Sequence, residues 1–270
     1  MKRYLGVFWV LIVLVFAPLA YANNQSFSLQ AMVAMQKMNL DIDSLYKDET
    51  ESLIYGVSGE IRIRNNLAII GDFEVGNTQK AELIMGMPLS DLSGNYQRQS
   101  AGLLYLFSPN RIELGAGIGF DMGQEKFSWS GDNDNTGNRD WHWERKDNGI
   151  SGLVSISYKT PKIQLKNIIS YAPTLNSAER TKATRDSEWE TWKQDNIKAS
   201  LLKVRSSLEY NFTNNLGVVL GAKYFLYKSP EAEVTTDYES SDDNWTSVKD
   251  TANAATEQGG LVFLGIKFAL

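Results

Sequence analysis

His142 is the only histidine in a chain of 270 residues, and Asp140 stands two positions before it. An imidazole exchanges a proton near neutral pH and a neighbouring carboxylate can orient it, so an Asp-x-His pair is a candidate for activating water or a hydroxyl nucleophile. Against that stands an ordinary solvated surface histidine, and no catalytic residue is assigned on this spacing alone. The same stretch, DNDNTGNRDWHWE, sets Asp132, Asp134, Thr136, Gly137 and Asp140 at the intervals of a calcium-binding loop. The closing acid, Glu144, falls one place late and no flanking helices are evident. Asp132, Asp134 and Asp140 are therefore a weak calcium candidate beside the plainer reading of a solvated Asx-rich turn. No cofactor is expected.

A second candidate cluster is aromatic: Phe127, Trp129, Trp141, Trp143, Trp189 and Trp192. Apart from Trp9, every tryptophan, Trp245 included, lies in or beside three long polar segments. An aromatic platform takes a sugar ring, a lipid chain or another apolar ligand. The alternative is that the rings only pack the loops into a cap.

Asp140-x-His142 resembles the catalytic loop of the omptins, ten-stranded outer-membrane proteases in which an Asp-His pair faces an acidic pair to activate water. The resemblance covers three residues and implies a loop-borne hydrolase. It departs from the family in two respects. His142 falls in the third long loop rather than the fourth, and the second loop holds Glu82 and Asp91 apart instead of a close acidic pair. Outer-membrane lipases and acyl-transfer barrels would instead require a serine near His142 and a group to orient the ring.

What must position these residues is legible from alternation. Lys2 and Arg3 precede an apolar run from Val7 to Ala17, and Ala20-Tyr21-Ala22 supplies a small-residue cleavage site, so residues 1–22 read as a signal peptide and 23–270 as one domain. Removing Lys2 and Arg3 takes the net charge from −5 to −7, an acidic balance that argues against nucleic acid as a partner. With no cysteine, neither a disulfide framework nor a thiolate metal site is available. After the leader no stretch is apolar enough for a membrane helix, yet 43% of the chain is hydrophobic. That content is dealt out at every second position, as in a membrane β-barrel.

Four short turn signals, Asn65-Asn66, Ser108-Pro109-Asn110, Thr160-Pro161 and Thr213-Asn214-Asn215, each separate two alternating runs. Longer polar segments lie between the hairpins: 43–52, 76–95, 130–148, 172–196 and 229–258. With a first strand within Phe27–Ile42, its phase switching at Met38 as at a β-bulge, and a closing strand at the end, the count is ten. If the stretch 80–90 also spans, it is twelve. The fold class is thus all-β: a transmembrane antiparallel up-and-down barrel with short periplasmic turns and long extracellular loops. Phe107, Tyr158, Tyr210, Phe212 and Phe268 on one side, and Phe73, Phe120, Tyr171 and Tyr224 on the other, suit two interfacial girdles.

The inward phase is ionic. Glu60, Asp72, Glu74, Glu113, Asp121 and Glu209 share it with Arg62, Arg64, Lys159, Lys166, Lys203, Arg205, Lys223 and Lys267. These charges either pair into a plug or line a narrow channel, for which side-chain-free Gly115, Gly117 and Gly119 would leave room. The last segment, GGLVFLGIKFAL, resembles through Gly265, Phe268 and Leu270 the C-terminal signal of small bacterial outer-membrane β-barrel proteins. In that family the usual last residue is aromatic. The resemblance implies a Gram-negative outer-membrane location, with lipid, lipopolysaccharide and the barrel assembly machinery as partners. The expected function is a non-enzymatic structural or surface-interaction barrel. The alternatives are a narrow channel for ions or small polar solutes and a loop-borne hydrolase using His142.

Overall fold

A computed structural model describes residues 26–42, 46–81, 90–133, 137–185, 188–240, 245–252 and 254–269. The expected signal peptide, Glu82, Asp134 and Leu270 lie outside these residues. The strands are β1 (Phe27–Ile42), β2 (Tyr46–Arg64), β3 (Leu67–Ala81), β4 (Ser90–Phe107), β5 (Ile112–Asn133), β6 (Gly137–Lys159), β7 (Ile163–Arg185), β8 (Glu188–Asn211), β9 (Leu216–Ser229), β10 (Ala232–Ser240), β11 (Trp245–Ala252) and β12 (Ala255–Ala269). From β1 to β9 each pairs antiparallel with the next, and β12 pairs with both β1 and β9. This closes a ring of ten strands and removes the open sheet edges that lipid could not satisfy. The remaining two, β10 and β11, form a hairpin that extends the outer end of β8, with Thr236–Ser240 set against Glu190–Gln194.

All four short turns fall where their residues demand. Asn110 takes a left-handed φ of 59°, which asparagine tolerates better than most residues. The Thr160 hydroxyl accepts from the Ile163 amide at 2.9 Å, and the Thr213 hydroxyl accepts from the amides of Asn215 and Leu216. At the seam the Asn215 side chain donates to the Ala269 carbonyl at 2.9 Å.

Two expectations are corrected here. The β1 register runs unbroken against both neighbours, so no bulge occurs at Met38. Met38 instead faces inward and packs with Leu201, Phe225 and Tyr227. The polar segments read as loops are in large part strand: β5 to β8 continue far past their apolar portions, and their hairpins stay paired to Asn133↔Gly137 and Arg185↔Glu188. A paired ladder continues without an apolar face once it leaves the membrane, which is why hydropathy alternation missed it.

The outward face defines the membrane-crossing portion. On β5 it carries Ile112, Leu114, Ala116, Ile118, Phe120 and Met122, then changes to Gln124 and Lys126. At roughly 3.3 Å per residue and a tilt of about 40°, that apolar stretch rises about 25 Å, one barrel-type apolar band. Leu103, Ile150, Val154, Ile169, Leu220, Val262 and Leu264 are likewise exposed. The girdle aromatics from Phe107 to Phe268 share this face.

The interior is not purely ionic, contrary to the simple inward-phase reading. Met32, Ile54, Tyr96, Leu261 and Phe263 form one apolar cluster, and Leu104, Leu106 and Leu153 another. The glycine stripe is covered rather than open. A Cβ on Gly115 would come within 2.3 Å of the Ser155 hydroxyl, one on Gly119 within 3.2 Å of Leu153, and one on Gly117 within 1.8 Å of the Leu103 carbonyl.

Candidate functional site

The strand ladders bring the inward charges of distant hairpins together within the apolar band. Glu113 accepts from both terminal nitrogens of Arg62, at 2.7 and 2.6 Å, and from Lys159 at 2.8 Å. Glu60 takes the Arg62 Nε at 2.9 Å and the Lys166 ammonium. A level higher, Lys223 joins Asp72 and Glu74, Arg205 meets Asp72 at 3.4 Å, and Lys203 reaches Asp121. Lys267 of the closing strand donates to Glu209 at 2.6 Å, and Gln30 to the other oxygen of the same carboxylate at 2.7 Å. Arg205 also donates to Gln30 at 2.7 Å and Ser58 at 2.9 Å, while its guanidinium lies over the Phe263 ring. Thirteen of the fourteen residues expected in this network are therefore paired within it. Arg64 is exposed beside the β2–β3 turn, because the register shifts between Arg62 and Arg64. Nine of the paired groups, Glu60, Asp72, Glu74, Asp121, Lys166, Lys203, Arg205, Glu209 and Lys223, line a cavity of about 120 Å³, room for several waters.

A second ionic layer lies above the band; its Arg145, Asp147 and Glu257 fall in segments read as loops, while Arg98 and Glu125 stand just outside them. Arg145 meets Glu125 at 2.8 Å, Asp147 at 3.3 Å, and Glu257. Arg98 reaches Glu125 at 3.4 Å. The outward neighbours at this level, Lys126, Lys146 and Gln258, are exposed and polar. Both guanidiniums are covered by rings, Arg145 over Tyr227 at 4.3 Å and Arg98 over Phe225 at 4.8 Å, a cation–π arrangement that shields a buried charge. Burial, with Glu257 and Asp147 nearby, pushes the Glu125 carboxyl up to about 7 against the opposing pull of Arg145 and Arg98.

Above this layer, near-parallel Trp141 and Trp192 lie 6.0 Å apart, and Tyr238 of the added hairpin meets Trp192 edge-on at 6.3 Å. With Glu179, Thr181, Gln194 and Thr236 they line a pocket of about 200 Å³. Phe127 and Trp143 pair nearby, 5.6 Å apart. Trp129 stands opposite Trp141 in the ladder, whereas the Trp189 ring sits beneath the Lys182 ammonium at 5.2 Å. Tyr238 was absent from the sequence-based cluster because nothing in the sequence shows the last segment folding back onto β8. Burial raises the Glu179 carboxyl above its ordinary range.

His142 belongs to the opposite, outward face, in phase with exposed Lys146. Its Nδ1 lies 2.8 Å from the Ser128 hydroxyl, and Asp140 accepts from Ser130 at 2.6 Å. The structure thus supplies the serine that a nucleophilic site would need, while Asp140 is engaged with a second serine. Asp132 stands opposite Asn138 in the β5–β6 ladder, while Asp134 and Thr136 lie outside the described residues.

The closed ring, the outward apolar band and the inward charge pairs together define a ten-stranded barrel of the outer-membrane type. No protein-family model matches the chain, and no curated protein matches it. Solved structures do. OmpT, an outer membrane protease of Escherichia coli, is similar with a TM-score of 0.63 and 11% identity over 91% of this chain and 96% of that one. The translocator domain of the autotransporter NalP of Neisseria meningitidis is similar with a TM-score of 0.50 and 9% identity over 90% and 88%. At these identities the likeness is one of fold.

Proposed function

We propose that the chain is a non-enzymatic, non-conducting barrel of a Gram-negative outer membrane, which holds its shape through a filled interior and presents the long β5–β8 hairpins and the β10–β11 hairpin to the surroundings. The observation that carries this reading is the interior: opposed charges paired across the lumen, with apolar clusters resting on the glycine stripe that an open channel would need. Small barrels are filled by side chains in this way. Lipid and lipopolysaccharide would meet the outward face, and the assembly machinery would receive the closing strand through Gly265, Phe268 and Leu270. Planar-bilayer recording tests the reading. The expected result is no steady conductance from the parent protein; steady open events altered by Lys203→Glu or Arg205→Glu would establish the narrow channel instead.

One observation favours a second reading, a hydrolase borne on the hairpins: the contact between Ser128 and His142. An ester- or peptide-cleaving activity of the purified protein, abolished alike by His142→Ala and Ser128→Ala, would replace the non-enzymatic assignment.

A further inference from the structure

The pocket at the outer end of the barrel depends on a break in the β8 phase. Between Ser177↔Ile197 and Glu179↔Gln194 the β7 strand advances two residues and β8 three. Asn196 absorbs the extra residue in a left-handed conformation, φ 62°. Below this bulge the odd residues Ile197, Ala199 and Leu201 are buried in the interior. Above it the even residues Trp192 and Gln194 face the pocket, in line with Glu179 and Thr181 of β7 and with Thr236 and Tyr238 of β10. Bulges re-aim side chains in this manner beside functional sites.

We propose that this pocket binds one pyranose ring of a neutral glycan. An indole of this stacked pair offers a flat apolar face to the C–H face of a sugar, and Tyr238 forms a wall across it. Around that surface stand groups suited to hydroxyls: the Glu179 carboxylate, the Gln194 amide and the Thr181 hydroxyl. Trp143 holds the Glu179 carboxylate by a hydrogen bond, and Gln194 is tied to Thr236 at 3.0 Å, so both are preorganised. A volume of about 200 Å³ suits one ring, below the roughly 300–1,000 Å³ of sites for drug-sized ligands. Among the described residues the lining has one carboxylate and neither lysine nor arginine, which disfavours phosphorylated or sulfated sugars. Its four polar side chains against three rings also differ from the mainly aromatic cages that take quaternary ammonium groups.

The inference rests on the reading that the β6–β8 ends stand outside the membrane. Its test is saturation-transfer NMR on the full chain folded in detergent, with the methyl glycosides of glucose, galactose and N-acetylglucosamine as probes. At least one should bind at millimolar concentration, displaced neither by glucose 6-phosphate nor by tetramethylammonium. Trp192→Ala should weaken binding at least tenfold, and Glu179→Gln about tenfold, as expected for a lost hydrogen bond to a charged group. Each variant is first checked for a heat-modifiable barrel; if Trp192→Ala fails to fold, Glu179→Gln decides. Binding by none of the three glycosides, displacement by either competitor, or parental affinity in the folded variants would overturn the site. Conductance separates the two proposals: a conducting barrel that still binds the glycoside overturns only the closed-barrel reading, and a non-conducting barrel that does not bind overturns only this one.

Discussion

Within the apolar band, six carboxylates face seven cationic side chains, and each carboxylate is reached by at least one of them. Above the band, among the described residues, Glu125, Asp147, Glu179 and Glu257 face two cationic side chains, Arg98 and Arg145, and aromatic rings cover both guanidiniums. The difference follows from what lies outside each wall. Where lipid surrounds the barrel an unpaired interior charge has little water to relieve it, and near-parity of sign is the stable solution. Beyond the band, water at the mouth and a raised carboxyl pKa allow an acidic excess. The embedded layer is therefore set for neutrality and the outer one for an electronegative mouth.

The largest effect should come from the strand that serves both layers. β12 pairs with β1 through Leu29↔Phe268 and with β9 through Leu216↔Phe268, and supplies Lys267 below and Glu257 above. Truncation before Phe268 is expected to abolish barrel assembly, measured as loss of the heat-modifiable band in isolated membranes; a normal band would show that closure does not need this end of β12. Next in size is Lys223→Met. It leaves Glu74 buried beside Asp72 without the ammonium both share, and should lower the unfolding free energy in urea titration by about 3–5 kcal/mol. A loss below about 1 kcal/mol would mean that water in the adjoining cavity replaces the ammonium, and that the embedded layer is no stricter than the outer one.

The two layers were not equally legible in the sequence. Leu103, Ile118 and Val154 repeat at every second position because lipid demands it, and that period exposes their inward mates, including Glu113 and Asp121. The apolar inward residues Ile54, Leu104 and Phe263 break the simple rule, since filling a lumen needs volume as well as charge. Beyond Met122 alternation lapses, so Arg145 and Glu257 looked like loop charges and Glu125 had no apolar outward neighbour to mark its face, although all three are buried. The pocket needed two facts that no local pattern carries: the bulge at Asn196, which reverses the phase of Trp192, and the return of Tyr238 onto β8. Only the grouping of tryptophans near those segments was visible beforehand.

The outer layer should lose stability as pH rises from the ordinary carboxylate range towards neutrality. Glu125 faces Arg98 from β4, Arg145 and Asp147 from β6, and Glu257 from β12. Its folded carboxyl titrates near 7, above the ordinary range near 4 of an unfolded chain. A raised carboxyl contributes stability that is complete below the unfolded value and is lost as pH rises through the folded one. Resistance to urea should therefore fall between about pH 4 and 7 and level off above that, and Glu125→Gln should flatten that dependence. An unchanged slope in the variant would assign the transition to another group and remove the basis for treating the outer layer as the adjustable one.

The smallest expected effect lies one residue along the same strand, on the other face. Lys126 and Glu144 approach to 2.9 Å, as close as many of the buried pairs, but half of the Lys126 side chain is exposed. Glu144 also keeps Gln124 and, at 3.3 Å, Lys146 as partners, so removing Lys126 strands no charge. Solvent screening limits such pairs to about 0–1 kcal/mol, and Lys126→Ala should change the unfolding free energy by no more than about 0.5 kcal/mol. The same urea titration used for Lys223→Met decides it. A loss comparable to that of Lys223→Met would mean that this outward surface is covered, and the top of the apolar band would then have to be placed above Lys126.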